Sequence, residues 1–123
     1  ATGTIRRHPD VQYLKSEKDV RNAHQAQLRL LKAAAGMIKP EGQIVFATCS
    51  LQPDEGPDVI EAFLADQPNW QRRPLEAGDV DGQTDFITPA GDLRTLPFHL
   101  NGLGDPDELG GMDGFFAARL IKK

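Results

Sequence analysis

Residues 43–50 read Gln-Ile-Val-Phe-Ala-Thr-Cys-Ser, and this stretch decides how the chain folds. Gln43–Thr48 is short, rich in β-branched and aromatic residues and apolar nearly throughout. Such a run is typical of a strand that is buried on both faces, as in a mostly parallel sheet. Cys49, the only cysteine, follows where the strand gives way to a turn. Ligands and chemistry collect at the carboxyl ends of strands in α/β sheets, so Cys49 is a candidate functional residue.

The segment before this strand has the pattern of a long helix. Ser16 and Asp19 are spaced as a capping box, and apolar residues recur every three or four positions after them. The spacing predicts a helix over roughly 17–38. The turn residues of 39–42, Lys-Pro-Glu-Gly, end it.

The segment after the strand predicts further alternation of helix and strand. Pro57 favours the first position of a second helix, and Trp70 is the expected core anchor of the next strand. The pattern as a whole predicts an α/β fold with an antiparallel addition. The remaining expectations are a strand at 69–75, a polar loop at 76–85, a hairpin at 86–96, a Gly-rich loop at 98–112 and a last strand at 114–121.

Composition is that of one modest domain. The chain has 123 residues, of which 39% are apolar and 26% charged, as in ordinary globular proteins. No apolar run approaches the roughly 20 residues that cross a bilayer, and no signal-peptide pattern is present. A single cysteine fits a reducing compartment, so we expect a cytoplasmic protein. One Cys and three scattered His residues do not have the spacing of a metal site.

Charge is distributed unevenly along the chain. Residues 1–40 carry eight Lys or Arg against three Asp or Glu, and residues 41–123 carry six against fifteen. Arg6 and Arg7 form part of the basic end, and arginine is suited to bidentate phosphate contacts. A solvated helix face explains the same skew, so both interpretations stay open.

Cys49 itself allows several interpretations. Most free cysteines are small buried hydrophobes, whereas polar neighbours and the helix-initiating turn at 53–57 favour a thiolate. A Cys–His hydrolase would need His8, His24 or His99 to activate the thiol. The glycines at 101–107 do not fit a dinucleotide loop, because the third glycine position is Asp107.

Three blocks of the chain resemble one family when they are taken together. Residues 2–10, Thr-Gly-Thr-Ile-Arg-Arg-His-Pro-Asp, resemble the stretch after the Pro-Cys motif of bacterial rRNA cytosine-5 methyltransferases, the Sun/Fmu group. Residues 46–50 with 53–55 are similar to the family's Thr-Cys-Ser motif and its downstream acidic residue. Residues 113–123 are similar to its C-terminal strand. The chain has Glu55-Gly56-Pro57 where the family often has Glu-Asn-Glu.

The resemblance implies the C-terminal half of a Rossmann-like, S-adenosylmethionine-dependent methyltransferase, with a mixed sheet whose last strand is antiparallel. Residues 1–123 would be the C-terminal portion of the catalytic domain. Cys49 would add to C6 of a target cytidine in rRNA, and Arg6 and Arg7 would help to hold the RNA backbone. The family's second cysteine would lie immediately before Ala1, and its cofactor-binding residues further upstream. The chain alone would then be inactive. The alternative is a non-catalytic structural module that contacts RNA and carries an inert Cys49.

Overall fold

The computed structural model describes residues 16–50, 53–96 and 114–123. Within these residues it is a mixed α/β structure, as the sequence predicts. Short one-turn 3-10 helices lie at Pro53–Glu55, Ala77–Val80 and Thr84–Phe86. The helices and strands are, in chain order, α1 (Glu17–Gly36), β1 (Gln43–Thr48), α2 (Pro57–Asp66), β2 (Trp70–Arg72), β3 (Leu93–Thr95) and β4 (Phe115–Lys122).

Helix α1 begins at the predicted capping box. The backbone N–H of Ser16 donates to Asp19 Oδ2 at 2.9 Å, and the backbone N–H of Asp19 donates to Ser16 Oγ at 3.2 Å. These two bonds satisfy donors that the first helical turn leaves without a partner. The turn into β1 closes at Gly42, where an added Cβ would lie 2.8 Å from the carbonyl oxygen of Lys39. The predicted helix over 17–38 is therefore confirmed to within two residues at its end.

The last strand organises the sheet. β4 pairs antiparallel with β1, β2 and β3, which confirms the predicted antiparallel last strand. Phe116 lies opposite Thr48 of β1 and opposite Arg94 of β3. At the other end of β4, Leu120 lies opposite Ile44 and Arg72. The carboxyl end of β1 therefore lies beside the start of β4, and the middle of β3 lies on the other side of β4 at the same level.

Both helices pack on one face of this sheet. The core joins residues of α1 and α2 to Trp70 and to alternate residues of β4, and two ring pairs lie within it. Phe46 and Phe116 are 6.4 Å apart, and Phe63 and Trp70 are 5.8 Å apart, each in edge-to-face geometry. The buried core residues are Leu31, Ala35, Val59, Ile60, Phe63, Trp70, Phe116, Ala118 and Leu120.

The prediction that β1 is buried on both faces is wrong for the described residues. The side chains of Ile44, Phe46 and Thr48 are half-buried, whereas Gln43, Val45 and Ala47 are exposed. Val45 has 68% of its surface accessible. The reason is that α1 and α2 cover only the Ile44 face. The predicted apolar stripe of α1 is likewise too wide, because Leu30 and Met37 are 70% and 81% exposed.

The segment between β2 and β4 differs in detail from the sequence-based expectation. The expected strand at 69–75 is shorter, although Trp70 is buried as predicted. The polar segment 76–85 contains two one-turn helices. The expected hairpin is reduced to a single bridge between Ile87 and Leu93, and the extended pairing of β3 is with β4. The expected Gly-rich loop lies outside the described residues.

In the described part of the chain, no helix has the length and apolarity needed to cross a membrane.

Candidate nucleophile site at the end of strand β1

Cys49 is exposed between two residues that face the interior. Thr48 ends β1 and is half-buried opposite Phe116, and Ser50 is fully buried. The thiol of Cys49 lies between them and is accessible. This alternation is that of an extended chain, in which successive side chains point to opposite faces. Cys49 is therefore not the small buried hydrophobe that most free cysteines are.

The side chain of Ser50 is held by a buried carboxylate. Its hydroxyl donates to Glu55 Oε2 at 2.8 Å, and the two residues are 0% and 4% exposed. The one-turn helix Pro53–Glu55 brings the carboxylate back toward the end of β1. Buried polar groups require such partners, since an unpaired one loses its hydration without compensation. The pair therefore fixes the chain directly after the thiol.

The backbone of Ser50 is held from the opposite side by an arginine of β3. Arg94 Nη1 donates to the carbonyl oxygen of Ser50 at 2.6 Å. The guanidinium carbon of Arg94 lies 5.1 Å from the centre of the Phe116 ring, a cation–π distance. Burial lowers the pKa of Arg94 below its usual value, yet an arginine remains charged in proteins.

Gly56 leaves room for this arrangement. A Cβ at that position would lie 3.1 Å from atoms of the Phe116 ring and 3.4 Å from Arg94 Nη2. The first distance is tighter than ordinary van der Waals contact. The absence of a side chain at Gly56 thus lets the start of α2 approach the arginine and the ring.

The histidines do not form a Cys–His pair with Cys49 in the described residues. His24 Nδ1 is 2.6 Å from the carbonyl oxygen of Asp54, and its ring lines a separate pocket of about 380 Å³ with Asp58. Burial raises the pKa of Asp58, and a hydrogen bond with Asp54 raises it further. The other candidates from the sequence, His8, His99, Arg6 and Arg7, lie outside the described residues.

No cofactor site is complete in the part of the chain that the structure describes. An open groove of about 320 Å³ runs between α1 and β1, and its lining is apolar apart from Gln27. The Oε1 atom of Gln27 is buried without a hydrogen-bond partner among the described residues. A nucleoside ribose is commonly held by a carboxylate, and none lines this groove. The residues that line this groove therefore do not fit S-adenosylmethionine. No group of three His, Cys, Asp or Glu residues in the described part of the chain could hold a metal ion.

Sequence reasoning located Cys49 and missed Arg94. Arg94 lies in the three-residue strand β3, directly after the Pro/Gly turn at 89–92. The available signal was one charged residue between the two leucines of the short segment 93–96. Its partner is a backbone carbonyl 44 residues earlier, and spacing alone does not reveal such a contact.

Comparisons with known proteins identify the family of the chain. The family model described as 16S rRNA methyltransferase RsmB/F matches residues 1–121. Ribosomal RNA small subunit methyltransferase B of Cronobacter sakazakii is 37% identical over all 123 residues, which cover 24% of its length. A protein of Synechocystis sp. named probable ribosomal RNA small subunit methyltransferase B is 36% identical over 120 residues. The match covers 98% of this chain and 24% of the length of that protein. The chain thus spans about a quarter of the length of these relatives.

Two solved structures share the fold. The crystal structure of PH0851 matches with a TM-score of 0.79 and 28% identity, over 98% of this chain and 24% of its own. A methyltransferase homologue from Pyrococcus horikoshii matches with a TM-score of 0.57 and 24% identity, over 89% of this chain and 34% of its own. These neighbours confirm the expected Rossmann-like methyltransferase fold. By the family match over nearly its whole length, the chain belongs to the 16S rRNA methyltransferase RsmB/F family.

Proposed function

We propose that this chain is part of an enzyme that methylates C5 of a cytidine in small-subunit rRNA, with Cys49 as the covalent nucleophile. The observation that carries the proposal is the exposed thiol on a backbone fixed by Glu55 and Arg94. A nucleophile must be accessible and held in a defined orientation. Membership of the RsmB/F family supports the substrate class.

The chemistry explains why a thiol is needed. Carbon 5 of cytosine is a poor nucleophile, and covalent addition at a neighbouring atom divides one difficult step into easier ones. The Cys49 thiolate adds to C6 and forms an S–C6 bond, and the electrons of the C5–C6 double bond make C5 nucleophilic toward a methyl group. Loss of the C5 proton and cleavage of the S–C6 bond then restore the ring. The base must leave its stack to reach such a sulfur.

The proposal places S-adenosylmethionine, the methyl donor, outside this chain. Residues 1–123 are then the C-terminal portion of a catalytic domain whose remainder carries the cofactor site. Two observations support this division. The chain covers a quarter of its relatives, and β1 pairs only with β4 among the described residues while Val45 and Leu30 beside it are exposed.

The RNA would be held in part by Arg6 and Arg7, since arginine suits bidentate phosphate contacts. The enzyme would act in the cytoplasm, where small-subunit rRNA is modified. We refer below to the longer protein that this proposal implies as the whole protein.

The direct test is to identify the product. The whole protein is incubated with unmodified small-subunit rRNA and S-adenosylmethionine, and the nucleosides are analysed by mass spectrometry. We expect 5-methylcytidine from the wild type and none from Cys49→Ala. An intact Cys49→Ala activity would favour the alternative, a non-catalytic RNA-contacting module with an inert cysteine. Methylation at another atom would contradict the C5 assignment.

The isolated 123-residue chain gives a second test. It is expected neither to bind S-adenosylmethionine tightly nor to methylate RNA, because the groove beside β1 has no carboxylate to hold the cofactor's ribose and the chain covers only 24% of its relatives' length. Calorimetric titration with the cofactor and a methylation assay measure both properties, after circular dichroism has shown that the chain is folded. Methyl transfer by the isolated chain would contradict the proposed division of the domain.

A further inference from the structure

We propose that Arg94 is a positioning residue, which holds the carbonyl of Ser50 and thereby sets the direction in which Cys49 presents its thiol to the cytosine. The inference rests on the proposed function, since it concerns the same reaction. It assigns a role to a residue of β3 that neither the family match nor the sequence motifs single out.

The backbone around Cys49 is held by contacts on both sides of the residue. On its amino side, Thr48 is fixed by pairing with Phe116 in the sheet. On its carboxyl side, the Ser50 hydroxyl is bound to Glu55 at 2.8 Å, and the Ser50 carbonyl is bound to Arg94 at 2.6 Å. Rotation of the Cys49 backbone would break at least one of these contacts. The bond from Arg94 fixes the direction of the Ser50 carbonyl, one residue after the thiol.

An arginine is suited to hold the Ser50 carbonyl, because its guanidinium is itself held against the ring of Phe116. Arg94 lies opposite Phe116 in the sheet register, and its guanidinium carbon is 5.1 Å from the centre of that ring. The same ring is fully buried and packs edge-to-face on Phe46. A planar group stacked on a fixed ring donates from a fixed point, whereas a flexible ammonium does not. Arg94 therefore links the buried Phe116 ring to the carbonyl of Ser50, the residue next to Cys49.

Charge supports the same assignment. Buried charges in proteins are usually paired with an opposite charge, and in the described residues no carboxylate pairs with Arg94. A half-buried cation bonded to a carbonyl gives a strong, charge-assisted hydrogen bond. Its partner is the residue directly after the thiol, which is the place where a small displacement would alter the direction of attack.

The test compares Arg94→Ala with Arg94→Lys and with Arg73→Ala in the whole protein. Arg73 is an exposed arginine next to β2, so its removal controls for the loss of one positive charge. Three quantities are measured: kcat and KM for RNA methylation, the rate at which RNA containing 5-fluorocytidine becomes covalently attached, and the thermal midpoint of unfolding. Fluorine at C5 cannot leave as a proton does, so the S–C6 adduct persists after methyl transfer.

We expect Arg94→Ala to lower kcat and the adduct rate by about 10- to 100-fold, the loss typical of a displaced reacting group. KM for RNA should stay near the wild-type value. Arg94→Lys keeps the charge without the planar fork and should recover only part of the rate, and Arg73→Ala should match the wild type. If Arg94→Ala fails to fold, the kcat of Arg94→Lys decides the question.

Three results would overturn the inference. A raised KM with unchanged kcat would mean that Arg94 binds the RNA. A lower thermal midpoint with unchanged kcat at a temperature where the variant is folded would mean a structural role only. Equal losses in Arg94→Ala and Arg73→Ala would mean a general effect of charge. The proposed function fails separately, when the wild type itself forms no adduct.

Discussion

Two arginines near opposite ends of β4 differ in the groups to which they donate hydrogen bonds. Arg72, opposite Leu120, donates from Nε to both oxygens of Asp92 at 3.1 Å and from Nη1 to Glu61 at 2.7 Å. Arg94, opposite Phe116, donates to the carbonyl of Ser50. Burial would lower the pKa of Arg72, but its bonds to Asp92 and Glu61 raise it above the usual value. Burial lowers the pKa of Arg94.

We infer from this difference that the Arg72 end of the sheet serves stability, whereas the Arg94 end serves the proposed reaction. At the Arg72 end, charges are paired and the residues hold a loop against the strands. At the Arg94 end, a cation is directed at the backbone beside an exposed thiol. Removing groups at the first end should change stability, and removing groups at the second should change the rate of reaction. The predictions below test this separation from the largest expected effect to the smallest.

The largest effect is expected at Cys49. Cys49→Ser keeps the size and hydrogen-bonding capacity of the side chain and removes the thiolate, and loss of a covalent nucleophile typically costs at least about 10³-fold in kcat. The thermal midpoint should stay near that of the wild type, because the residue is exposed. Methylation kinetics and a thermal melt of the same preparation measure both. A variant with wild-type kcat would contradict the assignment of Cys49.

The next effect is expected at Arg72, on stability instead of rate. Arg72→Ala leaves the carboxylate of Asp92 buried without its cation, and such losses cost about 3 kcal/mol. Burial already raises the pKa of Asp92, although the bond from Arg72 opposes this. Without Arg72 the folded-state pKa rises further above the unfolded value, so stability falls as pH rises through that interval. The deficit should therefore be smaller at pH 5 than at pH 8 in denaturant titrations.

Glu61→Ala is the matched control for Arg72→Ala. Glu61 is the exposed partner of the same arginine, with 65% of its side chain accessible, and exposed pairs contribute little. We expect less than about 1 kcal/mol of destabilisation and no change in kcat for methylation. Equal losses of stability in the two variants would show that the buried Arg72–Asp92 pair contributes no more than the exposed Arg72–Glu61 pair.

The smallest effect is expected at Asp79. The backbone N–H of Glu76 and the guanidinium of Arg119 hold the pKa of Asp79 below its ordinary value of 3.8. A lowered folded-state pKa contributes stability above the unfolded value, and that contribution is lost as pH falls through the folded value. NMR titration should show the low pKa of Asp79. Asp79→Asn should flatten the acid limb of the stability curve slightly, whereas Asp85→Asn, at a position without an ion pair in the described residues, should leave it unchanged.

Local patterns allowed much of the fold to be predicted. The capping box at Ser16, the apolar run of β1 and the proline at the start of α2 each act within a few residues, so the bounds of these elements were predicted closely. The exposed face of β1 was not predicted. An apolar run does not reveal how many faces its neighbours cover, and α1 and α2 cover only one.

Sequence patterns single out Cys49 as a candidate site residue and do not single out Arg94. The thiol follows a strand and belongs to a recognisable motif, whereas the arginine acts through a contact with a carbonyl that is distant in the chain. The predicted hairpin is formed only in part, as one bridge between Ile87 and Leu93. The pairing of β3 with the distant β4 was not predicted, because local patterns do not reveal distant partners. The roles of Arg6 and Arg7 stay predictions.

The measurement that tests the central claim most directly is the mass of the covalent protein–RNA complex. The whole protein is reacted with RNA containing 5-fluorocytidine in the presence of S-adenosylmethionine, digested with protease and nuclease, and analysed by tandem mass spectrometry. The account predicts a methylated 5-fluorocytidine attached to the sulfur of Cys49, and no such adduct in Cys49→Ala. An adduct on another residue, or one that persists in Cys49→Ala, would contradict it.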